Sequence, residues 1–167
     1  MVDQQEFPKI TEEELDRLRQ FLDKPLPVRS PFNRNATIDT IAHFAYGMGD
    51  MNPLFSDEEY GKATRWASVI APPTFLFTCE GIGAPRGLAG VHAMWSGASF
   101  EMANVLREGT GIRGTVTPSG LTPKETKFAG SAILQEFTYD FSTVEGRDIG
   151  KYRQWSMRTD RDTAQGR

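Results

Sequence analysis

The run from Pro72 to about Gly81 or Gly83 constrains this chain more than any other feature. Pro72 and Pro73 suit the first turn of a helix, where a missing N–H costs nothing. Phe75, Leu76, Phe77, Cys79 and Ile82 then leave that helix apolar on nearly every side. Such a helix has no face to offer water and must be enclosed by protein. Downstream of residue 97 the hydrophobic period changes to two. Phe100, Met102 and Asn104 face one way in an expected strand at 98–106, and a second strand is expected at 110–118. In 131–142, Ile133, Gln135, Phe137, Tyr139 and Phe141 alternate with Ala132, Leu134, Glu136, Thr138 and Asp140. Glu145-Gly146-Arg147 reads as a hairpin turn into a last strand at 150–158 carrying Tyr152, Trp155 and Met157. Helices early and strands late make an α+β protein in which a sheet wraps a buried helix.

The first half reads as helices separated by turn chemistry. Thr11-Glu12-Glu13-Glu14 has capping-box spacing, and Leu15, Leu18, Phe21 and Leu22 follow at helical period before Pro25. Residues 24–35, with three prolines and two asparagines, read as an ordered surface connection. Thr37 caps a second helix bearing Ile38, Ile41, Ala42 and Ala45 and ending at Gly47. The run Tyr46-Gly47-Met48-Gly49-Asp50-Met51-Asn52-Pro53-Leu54-Phe55 follows. Glycine permits a sharp turn and Pro53 biases Asn52 away from helix, so this segment is built to aim side chains. Taken alone, Asp50 is either a functional carboxylate or a turn residue bonding its own backbone. Of the two histidines, His43 sits inside the second helix. His92 lies in a glycine-rich segment, where an imidazole serves as acid or base or simply bonds the loop.

The run ending in Phe55 resembles the Gly-Asp-x-Asn-Pro signature of MaoC-like dehydratases and hydratases, hot-dog-fold enzymes acting on acyl thioesters, with Phe55 standing where the family places its catalytic histidine. Three further stretches carry the likeness. Asp57 to Trp66 looks like the helix after the catalytic loop, Val69-Ile70-Ala71-Pro72-Pro73-Thr74-Phe75-Leu76-Phe77 like the start of the central helix, and Gly87 to Gly97 like the approach to the second strand. Together they cover roughly residues 36–110. The resemblance implies one hot-dog domain over residues 1–167, with an N-terminal helical extension at about 10–35 and a polar tail at about 159–167. It implies enoyl-thioester hydration or 3-hydroxyacyl-thioester dehydration on a coenzyme A or carrier-protein substrate, with Asp50 as catalytic base and His92 as the candidate second group. Asn52, Phe55, Thr74, Tyr46 and Trp95 make the expected substrate-binding set, with thioester-polarising donors near Thr74 and Asn52 bracing the loop. Hot-dog proteins pair as dimers through their sheet edges, so a homodimer or a heterodimer with a MaoC-like paralogue is implied. The alternatives are a non-catalytic subunit supporting an active paralogue and, third, an acyl thioesterase using Glu80. Arg65 and Arg86 read either as partners of carrier phosphates or as solvated surface arginines.

Composition removes other classes. A formal charge of −3 with scattered basic residues argues against nucleic acid as the main partner. Cys79, the only cysteine, excludes an intrachain disulfide or a cysteine zinc site and reads as a buried structural thiol. No stretch approaches the ~20 apolar residues of a membrane span, and the first residues lack a signal-peptide pattern, so a cytoplasmic protein is expected. No metal cluster, phosphate-binding glycine loop or cofactor is indicated.

Overall fold

The computed structural model describes residues 7–82, 87–88, 90–127 and 129–161. Helix α1 spans Glu12–Arg19, with the Thr11 side chain accepting from the Glu14 N–H, and helix α2 spans Ile38–Gly47. In α2 the capping box is closed by Thr40 rather than by an acid: its hydroxyl accepts from the Thr37 N–H while Thr37 Oγ1 accepts from the Thr40 N–H. Helix α3 covers Glu58–Ala63. Short strands β1 (Leu26–Pro27) and β2 (Arg29–Pro31) lie in the segment expected to be an ordered surface connection. Leu26 and Pro27 pair with Val116 and Thr115, and β2 pairs with β3 (Gly81–Ile82). Prolines are tolerated there because these strands lie at sheet edges.

The main sheet is antiparallel, built from β4 (His92–Met102), β5 (Ile112–Thr126), β6 (Gly130–Thr143) and β7 (Asp148–Thr159) with β1, in the order β1-β5-β6-β7-β4. One register line shows how its inner face is made: Leu26, Val116, Tyr139, Tyr152 and Phe100 lie directly across from one another on successive strands. The Tyr139 and Tyr152 rings stack at 4.8 Å and those of Tyr152 and Phe100 at 5.3 Å. This floor packs on the buried segment Pro73–Cys79, where Phe75, Leu76 and Cys79 are at most 1% exposed. Burying a side chain such as Phe75 contributes roughly 1.5–3 kcal/mol. The sheet therefore wraps an apolar central element, as the sequence requires. A second, smaller core forms where Leu15 and Leu18 of α1 meet Leu88, Val91 and Ile133.

The central element differs from the expected α-helix. It is a seven-residue 3-10 coil that ends at Cys79, short of Gly81. The Phe75 N–H donates to the Pro72 carbonyl and the Thr78 hydroxyl to the Phe75 carbonyl, both three residues back. Two prolines supply no N–H to start an α-helical ladder, and the narrower coil seats three aromatic and aliphatic side chains in a confined space. The strands are longer than the periodicity predicted. β4 starts six residues before the expected 98 and ends at Met102, leaving Asn104 outside; β5 runs on to Thr126. Among the described residues no helix is long and apolar enough to cross a membrane.

Candidate active site

The Asp50 turn is fixed from both sides by backbone bonds. Gly49 adopts φ 75°, a left-handed conformation natural to glycine, and ends α2. The Gly49 N–H donates to the Tyr46 carbonyl and the Asp50 N–H reaches back to Ala45 at 2.9 Å, a reversal that absorbs the helix's last carbonyls. Asp50 Oδ1 then accepts from the Asn52 N–H at 3.0 Å, and Asn52 Oδ1 accepts from the Leu54 N–H at 3.0 Å, capping the short turn Pro53–Phe55. One Asp50 oxygen thus serves the turn, while among the described residues the other has no protein hydrogen bond and the residue is exposed. The Asn52 side chain braces the next turn through Leu54. Phe55 turns inward and packs against the main core.

Tyr46 lies beside this turn, 47% exposed, in an open cleft of about 500 Å³ shared with Ile38, Met51, Pro53 and Ser56. Met48 and Met51 are 65% and 71% exposed. Apolar side chains this open around a constrained carboxylate form a surface suited to covering by a ligand or another chain. Thr74 is half-buried at the start of the central coil, and Trp95 stands on β4 against Phe77 at 5.6 Å, 59% exposed.

His92 is not brought to Asp50 within one chain. It opens β4 opposite Thr159, whereas the chain leaving the other end of β4 reaches Leu106, whose carbonyl accepts from the Ala71 N–H. The neighbouring Ile70 N–H donates to Leu54 of the Asp50 segment. An 11-residue strand, about 33 Å long, thus separates the two ends. The faces differ as well. Pairing is regular from His92 to Trp95, so His92 points away from the side on which Trp95 meets Phe77. His43 is exposed on α2. Arg65 stacks over its neighbour Trp66 at 4.3 Å, and Arg86 lies outside the described residues.

One constellation escaped sequence reasoning. Glu80, just past the central coil, accepts from the Tyr152 hydroxyl and from Gln154 Nε2 at 3.2 Å, and the same amide donates to the Tyr139 hydroxyl at 3.2 Å. The sequence offered Glu80 itself, as the carboxylate of the thioesterase alternative, but not its partners Tyr152 and Gln154, which lie more than seventy residues away. Burial pushes the Cys79 thiol up to about 12, which makes it a poor nucleophile. No group of three metal-binding side chains occurs among the described residues.

Known proteins with this architecture agree. One chain of the ChsH1-ChsH2 complex from Mycobacterium tuberculosis superposes with a TM-score of 0.67 at 15% identity, over 89% of this chain and 92% of that one. The MaoC-like dehydratase from Rhodospirillum rubrum gives 0.61 at 15% identity over 84% and 93%. A chain of the HadBC 3R-hydroxyacyl-ACP dehydratase complex from Mycobacterium tuberculosis gives 0.64 at 15% identity over 80% and 95%. These likenesses establish the hot-dog fold. In sequence, a UPF0336 protein of Streptomyces avermitilis is 39% identical over 59 residues, which is 35% of this chain and 38% of that protein. A UPF0336 protein of Parafrankia sp. is 55% identical over 38 residues, 23% and 25% of the two chains. Both alignments thus span well under half of the relative. A family model matches residues 30–151, from β2 into β7, and the chain accordingly belongs to the family described as FAS1-like, dehydratase domain region, with the hot-dog fold of the MaoC-like dehydratases.

Proposed function

We propose that this chain is an enoyl-thioester hydratase, equally a 3-hydroxyacyl-thioester dehydratase, with Asp50 as its acid–base group. The observation that carries the reading is the Asp50 carboxylate itself, exposed in the turn between Tyr46 and Met51, which line the cleft, and locked by the left-handed Gly49 and the Asn52 N–H. In the hydration direction a water oxygen bonds to Cβ of the enoyl thioester as Asp50 takes its proton. The electron pair of the C=C bond passes to Cα, and the carboxylic acid so formed returns a proton there, regenerating the carboxylate. One group fills both roles because Phe55 carries no proton and His92 lies at the far end of β4 in the same chain. Tyr46, Asn52, Phe55, Thr74 and Trp95 are proposed to shape the substrate's surroundings. The proposed carrier is coenzyme A or a carrier protein, and the proposed location is the cytoplasm. The outer edge of β4, bonded only to β7 and displaying Met94 and Trp95, is proposed to pair with a second hot-dog subunit, in a homodimer or with a paralogue.

The test is the loss of conjugated enoyl-thioester absorbance with the purified chain. Asp50→Asn is expected to lower turnover by about 10²–10⁴-fold with the fold intact; near-full activity in that variant would refute the assignment. A second reading, a non-catalytic subunit of a hetero-oligomer, is favoured by Phe55 being committed to the core. Activity that appears only on adding a paralogue with the intact histidine would establish it. Release of free thiol from an acyl thioester, lost in Glu80→Gln, would instead mark a thioesterase built on the Glu80–Tyr152–Gln154 network.

A further inference from the structure

We propose that the cleft between the 107–111 turn and the turn joining β6 to β7 seats the phosphate esters at the distal end of the thioester's pantetheine arm. The inference rests on the thioester reading of the Asp50 site. The cleft holds about 530 Å³ and is lined by Arg107 and Arg147 with Gly109, Gly111, Thr143 and Glu145. Arg107 is aimed by a bond from its Nε to the Trp66 carbonyl at 3.1 Å, which leaves its terminal nitrogens available, and Arg65 lies on the ring of the same tryptophan. Arg147 and Arg113 both act on Glu145, whose carboxyl is held below its ordinary range first by the Thr143 hydroxyl, then by its own amide, with the two guanidinium charges adding to this.

Arg107 and Arg147 thus face this cleft together with Glu108 and Glu145, and the charge of Arg113 also reaches Glu145. Arg17, Arg19 and Arg153 are ion-paired, whereas among the described residues Arg107, Arg113 and Arg147 form no salt bridge. Planar guanidinium donors on a glycine-bearing rim, with the Arg107 terminal nitrogens unbonded, fit a phosphate dianion that would compete with Glu108 and Glu145 for them. By contrast, the cleft beside Tyr46 is lined by Asp57, Glu58 and Glu59 and by no arginine or lysine, so nothing there offsets the repulsion of a phosphate. The spacing is right for one extended ligand. Leu54 of the Asp50 segment bonds to Ile70, and Ile70 pairs with Arg107, two backbone steps of about 4.8 Å each. A pantetheine arm bridges that separation, with the thioester at Asp50 and the phosphate among the arginines.

Calorimetric titration of the full-length chain with coenzyme A, with adenosine 3′,5′-bisphosphate and with phosphopantetheine tests the assignment. Arg147 sits in an exposed turn and bonds no other described residue through its side chain, so Arg147→Ala is the variant of choice. Expected is saturable binding by the wild type, weakened roughly tenfold in Arg147→Ala and falling with salt. Binding of the bisphosphate identifies coenzyme A as the source, and binding of phosphopantetheine alone identifies a carrier protein. Absence of binding by all three, or equal binding by wild type and Arg147→Ala, overturns the proposal. Because the readout is binding, arginine-dependent binding without hydration would sink the Asp50 chemistry and keep the seat. Hydration with an unchanged KM in Arg147→Ala would do the reverse.

Discussion

The same substitution, glycine to alanine, is expected to change stability in opposite directions at two helical positions flanking the Asp50 turn. Gly61 is buried in α3, and a Cβ built there lies 2.7 Å from the Ser68 carbonyl carbon and the Val69 nitrogen and 2.8 Å from the Ser68 oxygen. All three are backbone atoms, so no side chain can swing aside. Ordinary contact begins near 3.4 Å, so α3 or the 68–69 backbone must move by roughly 0.7 Å. The latter is anchored, because the Val69 carbonyl accepts from Glu108 and the adjacent Ile70 N–H donates to Leu54. Because only backbone can yield, the overpacking falls in the upper part of its usual range, about 2–3 kcal/mol, against about 1 kcal/mol gained from alanine's helix propensity. The clash wins, and Gly61→Ala should lower stability by about 1–2 kcal/mol, a Tm drop of roughly 3–6 °C for a chain of this size. At Gly47, the last residue of α2, a Cβ meets nothing within 4 Å. Gly47→Ala should therefore raise stability by about 0.5 kcal/mol through unfolded-state entropy alone. Thermal and urea unfolding of the two variants decide it. A neutral or stabilised Gly61→Ala would show that α3 does not press on the 68–69 backbone as described.

Two further outcomes follow from burial. Phe75→Ala, which empties a site that is 0% exposed, should cost about 3–5 kcal/mol by urea denaturation. Cys79 should resist alkylation at pH 8 in the folded chain and react once the chain is unfolded. The folded thiol titrates at about 12 against 9.0 for the free group, so the unfolded state loses its proton first, and stability should fall as pH rises from about 9 towards 12.

The Asp50 turn was legible in the sequence because every bond that makes it is local. Gly49 supplies the left-handed residue, Asp50 accepts from the N–H two residues ahead, and Asn52 does the same, accepting from Leu54 just past Pro53. The enclosed central element was legible from composition alone, but not its coil type, which depends on how closely the sheet packs over it. The ends of the strands were hidden for another reason. Residues 119–126 carry Gly120, Pro123 and two charged residues and have no strand pattern of their own; they are drawn into β5 by the ladder with β6, from Gly120 opposite Glu136 to Thr126 opposite Gly130. Since β1 covers only Thr115 and Val116, this stretch is a sheet edge where Pro123 leaves no ladder bond unmade. The start of β4 is similar, a glycine-rich approach made extended by β7. Glu80 and its tyrosine partners meet only because the sheet closes over the coil, which no local pattern reports.

Phe55→His separates the two readings of the Asp50 site most sharply. Phe55 is half-buried against the main core, at the position where the resembling family carries its histidine. The exchange removes part of an apolar ring from that packing and should cost about 1–2 kcal/mol of stability, which a chain of this size tolerates. If Asp50 works alone, the surrounding space has been shaped for an apolar neighbour. An imidazole there should leave turnover equal or lower and add a histidine-like ionisation near pH 6.5 to its pH profile. If the chain is instead a silent subunit, the isolated wild type shows no hydration, and the imidazole restores a second proton-carrying group beside a carboxylate already held in place. Hydration should then appear in Phe55→His and vanish again in the double variant with Asp50→Asn. Turnover in the isolated wild type that also survives loss of Asp50 would refute both readings and move the chemistry elsewhere, with the Glu80 network as the next carboxylate to remove.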